Sequence, residues 1–246
     1  MISKIKKLFK NNHQYINHYQ VDIHSHLIPG IDDGSKTIQE SVLLVKSLKE
    51  LGFKKLITTP HIMHHRYPNS SEIILSGLKD LKLELKNQKV DIEIEAASEY
   101  YLDEHFMKLL KKRDILTFGD KYLLFEMSYG LKPLNLMSTI FEMKVAGYQP
   151  VLAHPERYLF MHRDFKVYEK LKEEGVLFQL NLNSLGGYYS KPVQKIAQKL
   201  VQNGWIDFLG SDTHKESHLQ HFSKNLNSKT LSKIFKTNVI RNEQLL

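Results

Sequence analysis

The sequence predicts an α/β fold, a seven-stranded parallel barrel. Short β-branched or aromatic runs alternate with polar turns and helical stretches seven times along the 246 residues. That order is the order of a parallel sheet covered by helices. No Gly-rich nucleotide fingerprint follows any of the strands, which favours a barrel over an open nucleotide-binding sheet. The length also suits one α/β barrel, which commonly takes about 250 residues.

The elements follow in order. Strands are expected at 19–24 (YQVDIH), 55–60 (KLITTP), 91–98 (DIEIEAAS), 122–127 (YLLFEM), 149–153 (QPVLA), 176–182 (VLFQLNL) and 206–211 (IDFLGS). Helices are expected near 37–51, 71–87, 102–112, 133–146, 165–174 and 191–203. The first carries Ile38, Val42, Val45 and Leu48 on one face, the period of a packed helix. Gly52, Gly147, Gly175 and Gly204 sit where helices should stop. Pro133 and Pro192 sit where helices should begin. The tail after residue 225 reads as one or two short helices. Residues 1–18 read as a basic N-terminal arm or helix, and 19–246 as a single barrel domain.

Composition narrows the chemistry. Hydrophobic content is 41% and charged content 25%, ordinary for a globular protein. No apolar run reaches the roughly 18 residues a membrane span needs, and no signal core follows MISKIKKLFK. A cytoplasmic protein is expected. There is no cysteine, so disulfides and thiolate nucleophiles are excluded. The net charge of +8 points to an anionic partner. No nucleic-acid-binding motif accompanies that charge, so no nucleic-acid partner is expected. Ile2, Ile5, Leu8 and Phe9 stand among four lysines in residues 1–10. Such a segment is suited to weak association with a membrane surface, but an arm packed on the barrel is the favoured reading.

Polar groups collect at the strand ends, where barrel enzymes keep their active sites. Strand one ends in His24 and His26, with Asp32 and Asp33 beyond. Strand two ends in Thr59-Pro60-His61, strand three in Glu99 and strand four in Glu126. Strand five runs into His154-Pro155-Glu156-Arg157, strand six into Asn181 and Asn183, and strand seven into Asp212 and His214. Strand residues two apart point the same way, so His24 and His26 can grip one ion, and Asp212 and His214 form a similar pair. Imidazole mixed with carboxylate suits zinc, manganese or iron. Two or more such ions, about 3.5–4 Å apart, can clamp a phosphoryl group. Singly these residues have plainer explanations: a His-x-His is common, and a lone glutamate is usually a surface group. Their recurrence at successive strand ends argues for one site. The remaining histidines, 13, 18, 64, 65, 105, 162, 218 and 221, read as solvated, with His64, His65 and His218 possible at the rim.

The segments DIHSHLIPGIDDGS, TTPHIM, SEYYLD, FEMS, AHPERY and GSDTH together resemble the polymerase-and-histidinol-phosphatase (PHP) superfamily. Within it they resemble the capsule-type, CpsB-like, bacterial protein tyrosine phosphatases. The resemblance covers about residues 20–215. It implies a distorted seven-stranded barrel holding three divalent ions, manganese first, with iron or zinc as alternatives. It implies one ion on His24, His26, Glu99 and Asp212. A second would sit on Glu99, Glu126 and His154, with Glu99 bridging, and a third on Asp33, His61 and His214. Asp32 is no ligand in that pattern and reads as a turn or supporting carboxylate. Arg157 matches the arginine that holds substrate phosphate, so Arg157, Glu99 and Asp212 carry the catalytic expectation.

The implied activity is hydrolysis of protein phosphotyrosine by a metal-bridging hydroxide, linked to regulation of capsular or exopolysaccharide biosynthesis. A phosphotyrosine protein, a bacterial tyrosine kinase foremost, is the implied partner. A phenol leaves with a pKa of about 10, which suits a site without an obvious general acid. Loop 61–70 and the turn at 186–190 should frame the mouth, with Tyr188, Tyr189 and Tyr67 as candidate aromatic contacts. One departure stands out. Relatives often carry a second arginine after the last Asp-x-His, and here the stretch is SDTHKESHLQHF. Lys215 or His218 would have to share that role, without the guanidinium fork. Two other readings stay open. One is a PHP phosphoesterase acting on a small alcohol phosphate of the histidinol phosphate type, or on a nucleic-acid end. The other is a protein that keeps metals without turnover.

Overall fold

The strands are parallel and short, and helices separate most of them. The computed structural model describes residues 19–225 and 228–246. The expectations for the basic arm at 1–18 and for a membrane-surface segment at 1–10 lie outside the described residues. Among the described residues no helix is long and apolar enough to cross a membrane.

The strands are β1 (Val21–Asp22), β2 (Lys55–Thr58), β3 (His61–Ile62), β4 (Glu93–Ala96), β5 (Glu99–Tyr101), β6 (Tyr122–Glu126), β7 (Gln149–Ala153), β8 (Leu177–Asn181) and β9 (Phe208–Gly210). They form a three-stranded sheet, β1-β2-β4, and a six-stranded one, β3-β5-β6-β7-β8-β9, with every pairing parallel. The expectation of seven unbroken strands is therefore corrected. The second expected strand, 55–60, forms β2, with β3 following past Pro60, and the third, 91–98, forms β4, with β5 following it. Pro60 stands in the first gap and has no N–H to give a ladder. Its carbonyl still accepts from Glu99 N at 3.1 Å, and Thr58 O accepts from Ala97 N at 2.9 Å. At the far side, Asp212 N donates to His24 O at 2.8 Å and His26 N donates to Thr213 O at 2.9 Å. The first strand's continuation thus meets the last strand's.

The helices cover the outside. They include α1 (Ile38–Glu50), α2 (Ser71–Asn87), α3 (Glu104–Lys112), α4 (Leu136–Val145), α5 (Leu159–Arg163), α6 (Lys166–Glu173), α7 (Leu182–Leu185), α8 (Lys191–Gln202), α9 (Glu216–Asn225) and α10 (Ser228–Thr237). Thr37, Ser70, Asp103 and Ser190 cap α1, α2, α3 and α8, each side chain accepting from a backbone N–H in the first turn. In α1, Val42, Val45 and Leu48 are buried as the sequence pattern requires. The four stop glycines all have positive φ, from 70° to 104°. Helix α4 begins at Leu136 rather than at Pro133. The short α5 and α7 were not foreseen, because neither is long enough to show a period.

Two apolar layers result. A large cluster packs between sheet and helices, with Tyr100, Phe125, Phe178, Leu180 and Leu209 on the sheet side. A smaller one fills the inside of the curl: Val21, Ile23, Ile57, Ala97, Leu124, Val151, Ala153 and Phe208, with Phe118 and Leu245. The C-terminal segment plugs this end. Asn242 Nδ2 donates to both Val21 O and Leu209 O at 2.8 Å, and its Oδ1 accepts from Leu209 N at 2.9 Å.

That inner layer positions the site through the period-2 alternation of strands. Glu99 shares the parity of Ala97, Glu126 that of Leu124, His61 that of Ile57, and Asp212 that of Phe208. Apolar side chains fill the bottom, and the next inward positions toward the strand C-termini carry polar groups. His154 directly follows Ala153 and breaks the alternation. Its φ of 34° turns it inward, and Asp212 also sits at positive φ, 50°. Such backbone costs about 1–3 kcal/mol per residue and gathers at functional sites.

Candidate metal and active site

Among the described residues, the side chains able to form metal-holding groups of three or more make four groups, drawn from nine residues: His24, His26, Asp33, His61, Glu99, Glu126, His154, Asp212 and His214. These are the residues that the resemblance carries as ligands. Most are buried, and Asp33 is the exposed one.

The groups differ in detail from the expected sets. His24 Nε2, His26 Nε2, Glu99 Oε2 and Asp212 Oδ1 come together, with contacts among them of 3.2 to 3.6 Å. His24, His26 and Asp212 form one group able to hold a cation, and Glu99 joins His24 in a second with His154. Asp33 Oδ1 lies 3.4 Å from both His61 Nε2 and His214 Nε2, with His26 in the same group. The expected set of Glu99, Glu126 and His154 is rearranged. His154 Nε2 lies 2.8 Å from Glu99 Oε1, in a group with His24. Glu126 Oε1 instead lies 2.9 Å from His61 Nδ1, which is itself 3.2 Å from Glu99 Oε2. Glu99 therefore stands between the two halves.

Several features fit a cation. His61 Nδ1 and Glu126 Oε1 are buried and close, yet neither makes a hydrogen bond. Buried polar atoms are rarely left unpaired. Burial and the charge of Glu99 raise the Glu126 carboxyl. Burial works against charge on His24 too, but Glu99 and Asp212 outweigh it and lift that imidazole to about 9. A protonated histidine here answers negative charge that a divalent ion would answer instead.

Supporting groups fix the imidazoles. His24 Nδ1 bonds Gln179 Oε1 at 2.7 Å, and Gln179 Nε2 donates to Asn181 Oδ1 at 2.9 Å. His26 Nδ1 bonds Asp32 Oδ2 at 2.8 Å. Asp32 also accepts from His61 N at 3.1 Å and Gly34 N at 2.8 Å. Asp32 is thus the supporting carboxylate that the sequence reading allowed. Burial raises its carboxyl, but the partnership with His26 outweighs that and holds it at about 2. A proton fixed on Nδ1 leaves the His26 Nε2 lone pair facing inward, the usual arrangement behind a metal-bound histidine. Gly34 passes so close to the His26 backbone and Asp32 that a Cβ there would collide with both.

A cavity of about 710 Å³ opens over these groups. Arg157 lines it and donates from Nη1 to Asp212 Oδ2 at 3.0 Å. The same oxygen accepts from Asn181 Nδ2 at 2.6 Å and Tyr189 OH at 3.0 Å. Asp212 therefore presents Oδ1 to the histidines and Oδ2 to Arg157. The guanidinium carbon sits 4.6 Å from the Tyr129 ring and 4.3 Å from the Tyr189 ring. Glu156, its sequence neighbour, is buried elsewhere and accepts from Ser184 Oγ and Asn181 N. Met63, Tyr67, Tyr101 and Met127 add apolar wall, and Arg66, Lys215 and His218 complete the lining.

The aromatic expectations change accordingly. Tyr188 is not among the lining residues; it packs on His218 and His221, with ring centres 5.3 and 4.7 Å away. Tyr189 and Tyr67 do line the cavity, and Tyr67 stacks on His61 at 5.4 Å. His218 is buried behind His214, its Nδ1 3.0 Å from Asp212 O. Tyr129 was missed. Its position three residues past Glu126, at a strand end, was the available signal.

The chain is similar to named proteins over most of its length. CapC of Staphylococcus aureus, which carries a provisional tyrosine-protein phosphatase name, is 28% identical over 207 residues, 84% of this chain and 81% of that one. The tyrosine-protein phosphatase YwqE of Bacillus subtilis is 27% identical over 195 residues, 79% of this chain and 77% of that one. Among solved structures, one from work on YwqE of Bacillus subtilis and CpsB of Streptococcus pneumoniae, described as metal-dependent tyrosine phosphatases, superposes with a TM-score of 0.80 at 25% identity. It covers 92% of this chain and 94% of that one. The model of the family described as capsular polysaccharide synthesis, CpsB/CapC, matches residues 20–244, and the chain belongs to that family.

Proposed function

We propose that this chain is a metal-dependent tyrosine-protein phosphatase of capsule or exopolysaccharide regulation. The observation that carries the reading is that Glu99 and Asp212 each approach both His24 and His26, beside a second group of Asp33, His61 and His214, under a cavity walled by Arg157 and aromatic rings. The names and metal dependence of the relatives support it.

Three divalent ions are proposed, manganese first. His24, His26, Glu99 and Asp212 would hold one. Glu99, Glu126, His154 and the nearby His61 would hold the second, and Asp33, His61 and His214 the third. When bound, such ions lower the pKa of water and neutralise phosphoryl charge. The chain's own residues do the rest. Arg157 orients the phosphate through the guanidinium N–H groups not spent on Asp212, which suits bidentate recognition. Tyr129 and Tyr189 brace its planar face. Burial and the Asp212 charge push the Tyr189 phenol up, so it stays a donor to Asp212. Met63, Tyr67, Tyr101 and Met127 exclude water and pack on an aryl ring. With the ligand histidines taken up by metal, the site favours a phenolate leaving group, which needs less protonation than an alkoxide. The finer architecture proposed is a distorted seven-stranded barrel, supported by the bonds that join His24 and His26 to the last strand.

The partner proposed is a phosphotyrosine protein, a bacterial tyrosine kinase foremost. Steady-state kinetics on matched phosphotyrosine and phosphoserine peptides test the reading. Phosphotyrosine should be preferred by a wide margin, with histidinol phosphate slower still. Preference for the alkyl esters would move the assignment to the small alcohol phosphate class.

A further inference from the structure

The inside and the rim of this cavity carry opposite charge. Inside are Glu99, Glu126 and Asp212, engaged with histidines or with Arg157, and the exposed Asp33 is engaged with His61 and His214. On the rim are Arg66 and Lys215, both exposed. Neither pairs with a carboxylate among the described residues. Lys55, Lys144, Lys172 and Arg157 all do. Unpaired surface cations are common on a chain of net charge +8, but these two line the cavity that takes the substrate.

Arg66 is also held in place. It lies in a tight turn closed by Tyr67 N to Met63 O at 2.8 Å and Met63 N to Tyr67 O at 3.0 Å. Asn69 Nδ2 ties the same loop to His61 O at 2.8 Å and Ile31 O at 2.9 Å. The Arg66 guanidinium carbon stands 5.1 Å from the Tyr67 ring centre, and that ring stacks on His61 with only 12° between planes. Arg66 is therefore one aromatic ring further out than the metal-ligand imidazole. On the exposed rim and without a bond to Asp212, it suits the side chains next to a phosphotyrosine rather than the phosphoryl group. Lys215 directly follows His214 and faces the same mouth.

We propose that Arg66 and Lys215 form a cationic rim that selects phosphotyrosine peptides carrying acidic residues beside the phosphotyrosine. The inference rests on the tyrosine phosphatase reading of the site. It also gives the absent second arginine a different consequence: positive charge has moved from the phosphate to its flanks.

The test is kcat/KM on two phosphotyrosine peptides that differ only in flanking glutamates or glutamines, with free phosphotyrosine as a third substrate. Wild-type protein should prefer the acidic peptide by about three- to tenfold at low salt, the range of two exposed ion pairs. The preference should shrink at about 0.15 M salt. Arg66→Gln combined with Lys215→Gln should abolish the preference, and Arg66→Lys should keep it. Both positions are exposed, and matched melting curves would show that the variants fold. Equal use of the two peptides by wild type, or a preference that survives the double substitution, overturns the inference while turnover of free phosphotyrosine keeps the reading of the site. No turnover of any of the three overturns both.

Discussion

Asp32→Asn should weaken metal binding without unfolding the protein. Asp32 is buried and is not itself a ligand, but it makes three polar contacts: His26 Nδ1 at 2.8 Å, Gly34 N at 2.8 Å and His61 N at 3.1 Å. Asparagine has one oxygen: facing Gly34, it leaves an NH₂ against His26 Nδ1 and the His61 N–H; facing those two, it leaves that NH₂ against the Gly34 N–H. The bond to His26 loses its charge in both cases. A charge-assisted hydrogen bond contributes roughly 1.5–3 kcal/mol. Spent entirely on ligand orientation, that is about ten- to a hundredfold in metal affinity, the usual cost of losing such a partner. The assay is metal content by mass spectrometry against a series of free manganese concentrations, with aryl phosphate turnover on the same samples. The variant should need about ten- to a hundredfold more manganese for half-loading and recover turnover when saturated. Wild-type loading in a folded variant would refute the role given to Asp32, and with it the tautomer argument for His26.

Three further outcomes follow. Arg157→Lys should keep its metal and its fold yet lose about ten- to a thousandfold in kcat/KM, since one or two charge-assisted bonds at roughly 1.5–3 kcal/mol each are lost; near-wild-type kinetics would make Arg157 only a partner of Asp212. The metal-free protein should lose thermal stability as pH rises from about 6.5, the unfolded histidine pKa, through about 9, where folded His24 titrates. His61 and His214 are also raised, carboxylates outweighing burial in each, so all three stabilise the fold fully below about 6.5 and lose that contribution as pH rises through their folded values; a melting temperature flat between pH 7 and 9, read by calorimetry after chelation, would contradict this. Gly34→Ala should reduce both soluble yield and metal content, because its Cβ has no room beside His26 and Asp32; a well-folded, fully loaded variant would show that this turn can move.

Much of the site was legible because barrel strands put their inward parity to two uses. Leu124 and Glu126, or Ala97 and Glu99, read in sequence as a buried apolar residue followed two places later by an acid, and the structure turns both inward. His154 escapes that logic, since its left-handed backbone rather than its parity aims it. The pairing of Glu126 with His61 was not legible either, because it depends on how β3, β5 and β6 are offset, with His61 opposite Glu99 and Tyr101 opposite Glu126. In sequence the second strand ends at Pro60, and the short β3 beyond it was not legible, though the Pro60 carbonyl keeps contact with Glu99. Tyr188 and Tyr189 are adjacent, and no sequence period within a GGYYS turn says which faces the cavity. Arg66 had no period to betray it; only the turn that bonds Met63 to Tyr67 brings it to the mouth.

The central claim is that these nine side chains hold divalent metal and that aryl phosphate hydrolysis depends on it. The most direct measurement is metal content and p-nitrophenyl phosphate turnover on one preparation, before chelation, after it and after manganese is returned. Metal and turnover should disappear together and return together, while a thiol alkylating agent changes neither, because the chain has no cysteine. Undiminished turnover in demonstrably metal-free protein would contradict the account.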